Sequence, residues 1–168
     1  MKYVKRLFSK WFFSLSVFIC FTVFVLCSIN HFINVATYRE LSTYVKVDSF
    51  TIAGGTFDVD VKVVITKDTA WAAAYVQDNL DDTGYNSKYF DASAVTFYKY
   101  GYPVIIWFPE IPNGPASLAV ANHEILHAVS YTLASANIPL SQYTEEVYAY
   151  QTSYISKQFY DKIGLFKK

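Results

Sequence analysis

The stretch SLAVANHEILHAVSYTLASA, residues 117–136, decides how this 168-residue chain is organised. Apolar residues recur along it at the spacing of one helix face, which predicts a helix with that face in the core: Leu118, Ala121, Ile125, Val129 and Leu133. His123 and His127 are four residues apart, so a helix places both imidazoles on one face, roughly opposite Ile125 and Val129. We therefore expect a core helix that presents two histidines away from the core.

The sequence ahead of this helix predicts the strands of a sheet. Alternating apolar residues on either side of Gly54-Gly55 predict a pair of strands around a turn. Two more strands are expected around the turn at residues 101–103. The second of these, Val104–Phe108, is the most apolar short run of the folded part.

Two further helices are predicted. Residues 69–80 are rich in alanine, with Asp68 or Thr69 placed to cap a helix. A last helix is expected over about Tyr143–Ile163. The predicted fold class is α+β, with a small mixed sheet. The chain is expected to divide into three parts: a basic N-terminus with an apolar run (residues 1–30), a connector with a hairpin strand (31–56) and the folded domain (57–168).

The charge distribution argues against a nucleic-acid-binding protein. Basic and acidic residues number 14 each, but four of the basic ones precede residue 11. Residues 31 to 168 therefore carry ten basic and 14 acidic side chains, a net charge of −4. A protein that binds nucleic acid would need a basic patch on its folded part.

The apolar run Trp11–Ile29 predicts a membrane anchor. It carries no charged residue, and as a helix its 19 residues would reach about 28 Å, close to the thickness of the hydrocarbon layer. The basic residues before it predict a single-pass protein with a cytoplasmic N-terminus. The alternative is a half-buried strand in a soluble cytoplasmic protein, because polar residues alternate with apolar ones from Phe13 to Val25.

The segment His123-Glu124-Ile-Leu-His127 has the H-E-x-x-H pattern, which places two imidazoles where they can take two corners of a zinc tetrahedron. Zinc lowers the pKa of a bound water towards neutrality, and a glutamate beside the first ligand can accept its proton. The third ligand must be a carboxylate, because the only other histidine, His31, lies beside the apolar run. The segment YTEEVYAY supplies two candidates, Glu145 and Glu146.

With these residues the chain resembles the gluzincins, the thermolysin and aminopeptidase type of zinc peptidase, and also small zincin-like proteins encoded by phages. In gluzincins the third ligand is a glutamate about twenty residues past the second histidine, and Glu146 lies 19 residues past His127. Glu146-Val-Tyr-Ala149 is also similar to the aminopeptidase N-E-G-F-A helix, with Glu145 at the asparagine position. The resemblance implies that Glu146 is the third zinc ligand. Glu145 then either supports the site or is the ligand in place of Glu146.

The resemblance, which covers about residues 57–163, implies a minimal zincin-like domain that binds one Zn²⁺ ion and hydrolyses peptide bonds in a peptide or protein. It also implies an edge strand ahead of the histidine helix for an extended substrate, with contacts to Ile106, Trp107 and Phe108. A tyrosine is expected to stabilise the oxyanion, either Tyr148 or Tyr154, with Tyr131 and Tyr143 also available. Two alternatives remain: an inactive zinc-binding protein on the same scaffold, and a membrane-associated interaction protein without metal.

Overall fold

The structure is a computed structural model that describes residues 48–165, together with Thr22 and Val25. The chain divides into two compact units, residues 1–44 and 45–168. Most of the predicted anchor, residues 11–29, and the connector up to residue 47 lie outside the described residues. No helix in the described part of the chain is long and apolar enough to cross a membrane.

Four strands form one mixed sheet. Their bounds are Asp48–Ile52 (β1), Val61–Ile65 (β2), Val95–Phe97 (β3) and Val104–Phe108 (β4), and their order across the sheet is β1-β2-β4-β3. β2 and β4 are parallel, whereas β1 and β3 run antiparallel to their neighbours. The structure thus confirms the small mixed sheet that the sequence predicts.

In residues 48–165, three helices accompany the sheet: Thr69–Leu80 (α1), Pro115–Ser135 (α2) and Glu145–Ile163 (α3). Two short 3₁₀ turns lie at Gly55–Phe57 and Ser87–Phe90. The predicted cap of α1 is confirmed, because the carboxylate of Asp68 accepts a hydrogen bond from the backbone N–H of Trp71 at 2.9 Å. This bond satisfies one of the N–H groups that a helix start leaves without a partner.

One expectation about the sheet is wrong. The run at residues 104–108 is not the edge strand, because Ile105, Ile106 and Trp107 are paired with β2 on one side and with β3 on the other. All five side chains of β4 are buried, as is typical of a central strand that is covered on both faces. Within the described residues, the edge next to α2 is β3.

The core lies between the sheet and the two long helices. Alternate residues of β2 and β4 share one buried cluster with residues of α2 and α3, among them Ile125, Val129 and Leu133 of the predicted core face. The ring of Phe159 joins α3 to this cluster, with its centroid 5.5 Å from the ring of Phe108. On the other face of β4, the ring of Trp107 packs edge-on against Phe90.

Truncation of Phe159 should be among the most destabilising changes in α3. The side chain has no exposed surface, so the change Phe159→Ala is expected to lower the free energy of unfolding by about 3–5 kcal/mol. The matched control is Tyr150→Ala on the same helix, where the side chain is 76% exposed and the expected change is within about 0.5 kcal/mol. Urea unfolding of both variants measures the difference. Equal losses would contradict the packing described for α3.

Candidate functional site

The two histidines of α2 converge on one point at the protein surface. The Nε2 atoms of His123 and His127 are 3.0 Å apart, and both side chains are exposed. Zinc–nitrogen bonds of about 2.0–2.1 Å at a tetrahedral angle need a separation of about 3.4 Å, so a small ring rotation would let both nitrogens bind one ion. The same separation also fits a hydrogen bond between the two rings. The geometry is therefore compatible with a metal site and with a hydrogen-bonded histidine pair.

The helix itself sets this geometry. Residues four apart lie one turn above each other, and α2 is fixed in rotation because Ile125 and Val129 are fully buried against the sheet. The rings of His123 and His127 meet edge-on, with centroids 4.6 Å apart. The predicted placement of the imidazoles away from the core is therefore confirmed.

Glu124 is turned towards the edge strand rather than towards solvent. Its side chain is only 7% exposed, and its Oε2 accepts a hydrogen bond of 2.6 Å from the hydroxyl of Thr96 in β3. The same hydroxyl lies 3.1 Å from the backbone carbonyl oxygen of Glu124. Within residues 48–165, the second carboxylate oxygen, Oε1, makes no hydrogen bond. One oxygen is thus held in place and the other is available to a proton donor.

The structure does not bring the predicted third ligand to the histidines. Glu145 and Glu146 are both exposed in the first turn of α3, and no group of three or more histidine, cysteine or acidic side chains suited to a metal is found among the described residues. The reason lies in the packing of the two helices. Tyr160 donates to Asn122 at 2.6 Å, and Tyr148 donates to the carbonyl of Ile138 at 3.1 Å.

These two hydrogen bonds show that α2 and α3 are antiparallel. The end of α3 lies beside His123, and the start of α3 lies near the residues that follow α2. His127 and Ser135 are separated by about 12 Å along the axis of α2, at 1.5 Å per residue. Glu146 therefore lies near the end of α2, about 12 Å along the helix axis from His127, although its spacing in the sequence fits the gluzincin pattern.

The described contacts of the two predicted oxyanion tyrosines do not include the histidines. Tyr148 is buried, and its hydroxyl is used in the bond to Ile138. Tyr154 lines a separate groove of about 400 Å³ with Phe57 and Tyr150. Neither residue is brought to the histidines by the contacts described, so the predicted role has no support from their positions.

Tyr131 is the tyrosine that lies beside the histidine pair. Its ring is nearly parallel to that of His127, with centroids 6.3 Å apart, and it stacks on Tyr98 at 4.7 Å. Tyr98 in turn makes a hydrogen bond of 3.0 Å with Ser135 through their hydroxyls. The signal for Tyr131 was present in the sequence, because it follows His127 by four residues and so continues the same helix face.

Tyr160 connects the end of α3 to the residue before His123. Burial raises the pKa of its hydroxyl. The phenol is therefore protonated at neutral pH and can donate to the Oδ1 of Asn122. This contact fixes the helix pair beside the histidines without supplying a ligand.

Comparisons of the chain with protein-family models, with curated proteins and with solved structures find no match. Any statement about function therefore depends on the site residues themselves.

Proposed function

We propose that this protein is a zinc-dependent peptidase in which His123 and His127 hold the metal ion and Glu124 is the general base. The observation that supports this most is the convergence of the two Nε2 atoms, 3.0 Å apart, beside a glutamate whose carboxylate is buried against the edge strand. Buried carboxylates are rare unless they are paired or used. The spacing of the three residues is that of the H-E-x-x-H pattern, which supports the proposal.

The chemistry divides between the metal and the chain. A bound zinc ion supplies a Lewis acid and makes a water molecule acidic near neutral pH. The imidazoles of His123 and His127 would hold the ion through Nε2. Glu124 takes up a proton through its free Oε1 while the hydroxyl of Thr96 holds Oε2. A positioned base of this kind contributes about 10²- to 10⁴-fold to the rate.

The substrate strand is assigned to β3 in place of residues 106–108. An extended peptide can pair with the outward-facing backbone groups of an edge strand. Thr96 lies at the centre of β3, and its side chain contacts Glu124, so a peptide on this edge would pass next to the base. This arrangement joins substrate binding and proton transfer at one place.

Removal of the metal tests this proposal. The full chain is incubated with a diverse peptide library before and after treatment with a chelator, and cleavage is read by mass spectrometry. We expect cleavage that chelation abolishes and that added zinc restores, because the metal supplies the acidic water. Cleavage that continues unchanged after complete removal of zinc would contradict the proposal.

Thr96 is predicted to be a positioning residue for the base. The change Thr96→Val keeps the shape of the side chain but removes the hydroxyl that holds Oε2, and it is expected to lower kcat by about tenfold. The change Thr96→Ser keeps the hydroxyl and should retain most of the activity. Steady-state kinetics on one cleaved peptide separates kcat from KM. A loss in the serine variant equal to that in the valine variant would mean that the hydroxyl has no such role.

A second function is favoured by the position of Glu146. With that carboxylate near the end of α2 and away from the histidines, the described residues supply two zinc ligands, whereas catalytic zinc sites of this type use three. The alternative is a protein that binds zinc through the histidine pair for a structural or binding role, without hydrolysis. Retention of zinc by a chain that cleaves no peptide in the library would support this alternative.

A further inference from the structure

An open cavity of about 540 Å³ lies at one end of the sheet. It is lined by residues at the start of β2, in the turn between β3 and β4, and at the end of α2. The side chains that give it chemical character are two aspartates, a lysine, two tyrosines and a serine: Asp58, Asp60, Lys62, Tyr100, Tyr102 and Ser135. The proposed peptidase site includes none of them. We refer to it as the aspartate-tyrosine cavity.

The charge of this cavity is negative. Asp58 and Asp60 are both exposed, and Asp60 is held in place because its Oδ1 accepts a hydrogen bond of 3.1 Å from the backbone N–H of Gly54. Among the described residues that line the cavity, the cation is Lys62, which directs its ammonium to the side-chain oxygen of Asn79 at 2.7 Å. Among the lining residues, two carboxylates therefore face the cavity against the ammonium group of Lys62, which already has a partner, while the ammonium of Lys99 lies over the ring of Tyr102 beside the cavity. A cationic ligand is favoured over an anionic one.

The aromatic walls favour the same kind of ligand. The ring of Tyr100 is 72% exposed and so has area to offer a ligand. The ring of Tyr102 already has a cation above it, since the Nζ of Lys99 lies 4.7 Å from the ring centroid. An aromatic face attracts a cation within about 6 Å, and guanidinium groups use such faces most often. Because Lys99 already uses the ring of Tyr102, the exposed ring of Tyr100 is the one available to a cation of the ligand.

The cavity continues the face of α2 that carries the histidines. His127, Tyr131 and Ser135 follow each other at four-residue spacing, and Tyr98 bridges the last two by stacking and by a hydrogen bond. Ser135, which lines the cavity, lies about 12 Å from His127 along the helix. An extended peptide rises about 3.3 Å per residue, so this distance corresponds to about four residues.

We infer that the aspartate-tyrosine cavity binds a basic side chain of a peptide and prefers arginine to lysine. This side chain lies about four residues from the peptide bond that is cleaved at the histidine site. Arginine is favoured because its planar guanidinium can stack on a tyrosine ring and donate to a carboxylate at once. The inference rests on the proposed function for the distance to the cleaved bond. The binding itself requires only the cavity.

The experiment uses two matched probes and the full chain in the presence of a chelator. Both probes are hexapeptides with an acetylated N-terminus and an amidated C-terminus. Five of the residues are alanine or serine and are the same in both probes, and the sixth is arginine in one probe and its neutral analogue citrulline in the other. NMR titration measures their affinities. We expect the arginine peptide to bind about tenfold more tightly, and we expect the double change Asp58→Asn and Asp60→Asn to remove this difference.

The control variant is Asp161→Asn, which makes the same kind of charge change on an exposed residue of α3 outside the cavity. It should preserve the preference for arginine. Equal affinities of the two peptides, no detectable binding of the arginine peptide, or a preference that survives the double change would each overturn the inference. Because zinc is absent, failure of the peptidase proposal does not alter this result. A chain that binds zinc in a separate measurement, but that binds both peptides equally in the chelator, rejects only the inference about the cavity.

Discussion

Replacement of Glu124 by glutamine is expected to lower the rate of peptide cleavage by about 10²- to 10⁴-fold while zinc stays bound. The amide has nearly the same shape as the carboxylate but cannot accept a proton. Its carbonyl oxygen can still accept the hydrogen bond that the hydroxyl of Thr96 donates to Oε2. The fold and the histidine pair should therefore remain intact, and the loss should appear in the chemical step.

The matched control for this change is Glu110→Gln. Glu110 is exposed and forms a surface ion pair of 3.4 Å with Lys67, an interaction of the kind that contributes about 0–1 kcal/mol. Its replacement should leave both cleavage and zinc content unchanged. Wild-type rates in the Glu124→Gln variant would exclude Glu124 as the base. Loss of zinc together with activity would assign Glu124 to metal binding instead.

Replacement of either histidine by alanine is expected to lower zinc affinity by more than about 100-fold. Each change removes one of the two nitrogens that converge at 3.0 Å, and a single imidazole on a helix surface has no chelating partner. For comparison, removal of a group that only orients a ligand costs about 10- to 100-fold. Competition with a zinc-binding dye measures the affinity of His123→Ala and His127→Ala against the wild type.

Leu126→Ala is the control on the same helix turn. Leu126 lies between the two ligands in sequence and is 50% exposed, so its truncation tests whether a general disturbance of α2 is enough to release zinc. The variant should retain wild-type affinity. If His123→Ala and His127→Ala bind zinc as well as Leu126→Ala does, the histidine pair is not the metal site.

Local features of the fold could be predicted from the sequence because each depends on neighbouring residues. Helix periodicity in residues 117–136 predicted the core face of α2, and the position before an alanine-rich segment predicted a cap at Asp68 or Thr69, of which the structure shows Asp68. The convergence of His123 and His127 follows from their four-residue spacing alone. These features need no knowledge of how the elements pack together.

The order of the strands could not be obtained in the same way. The position of VIIWF just before the histidine helix suggested an edge strand, but its uninterrupted apolar character is typical of a strand with neighbours on both sides. Thr96 was missed for a related reason. It lies 28 residues before Glu124 in the sequence, and their contact exists only because β3 packs beside α2.

The third ligand shows the limit of an argument from spacing. Nineteen residues separate His127 from Glu146, in agreement with the gluzincin pattern, yet the distance in space depends on how the two helices are aligned. The contacts Tyr148–Ile138 and Tyr160–Asn122 fix an alignment in which Glu146 lies near the end of α2. Spacing along the chain cannot distinguish this alignment from one that places a glutamate opposite the histidines.

The most direct test of the central claim is the zinc content of the purified full chain, measured by mass spectrometry of the metal, for the wild type and for His127→Ala. The account predicts about one zinc ion per wild-type chain and almost none in the variant, because one chelating pair holds the ion. Zinc far below one ion per chain in the wild type, or equal amounts in both proteins, would contradict it.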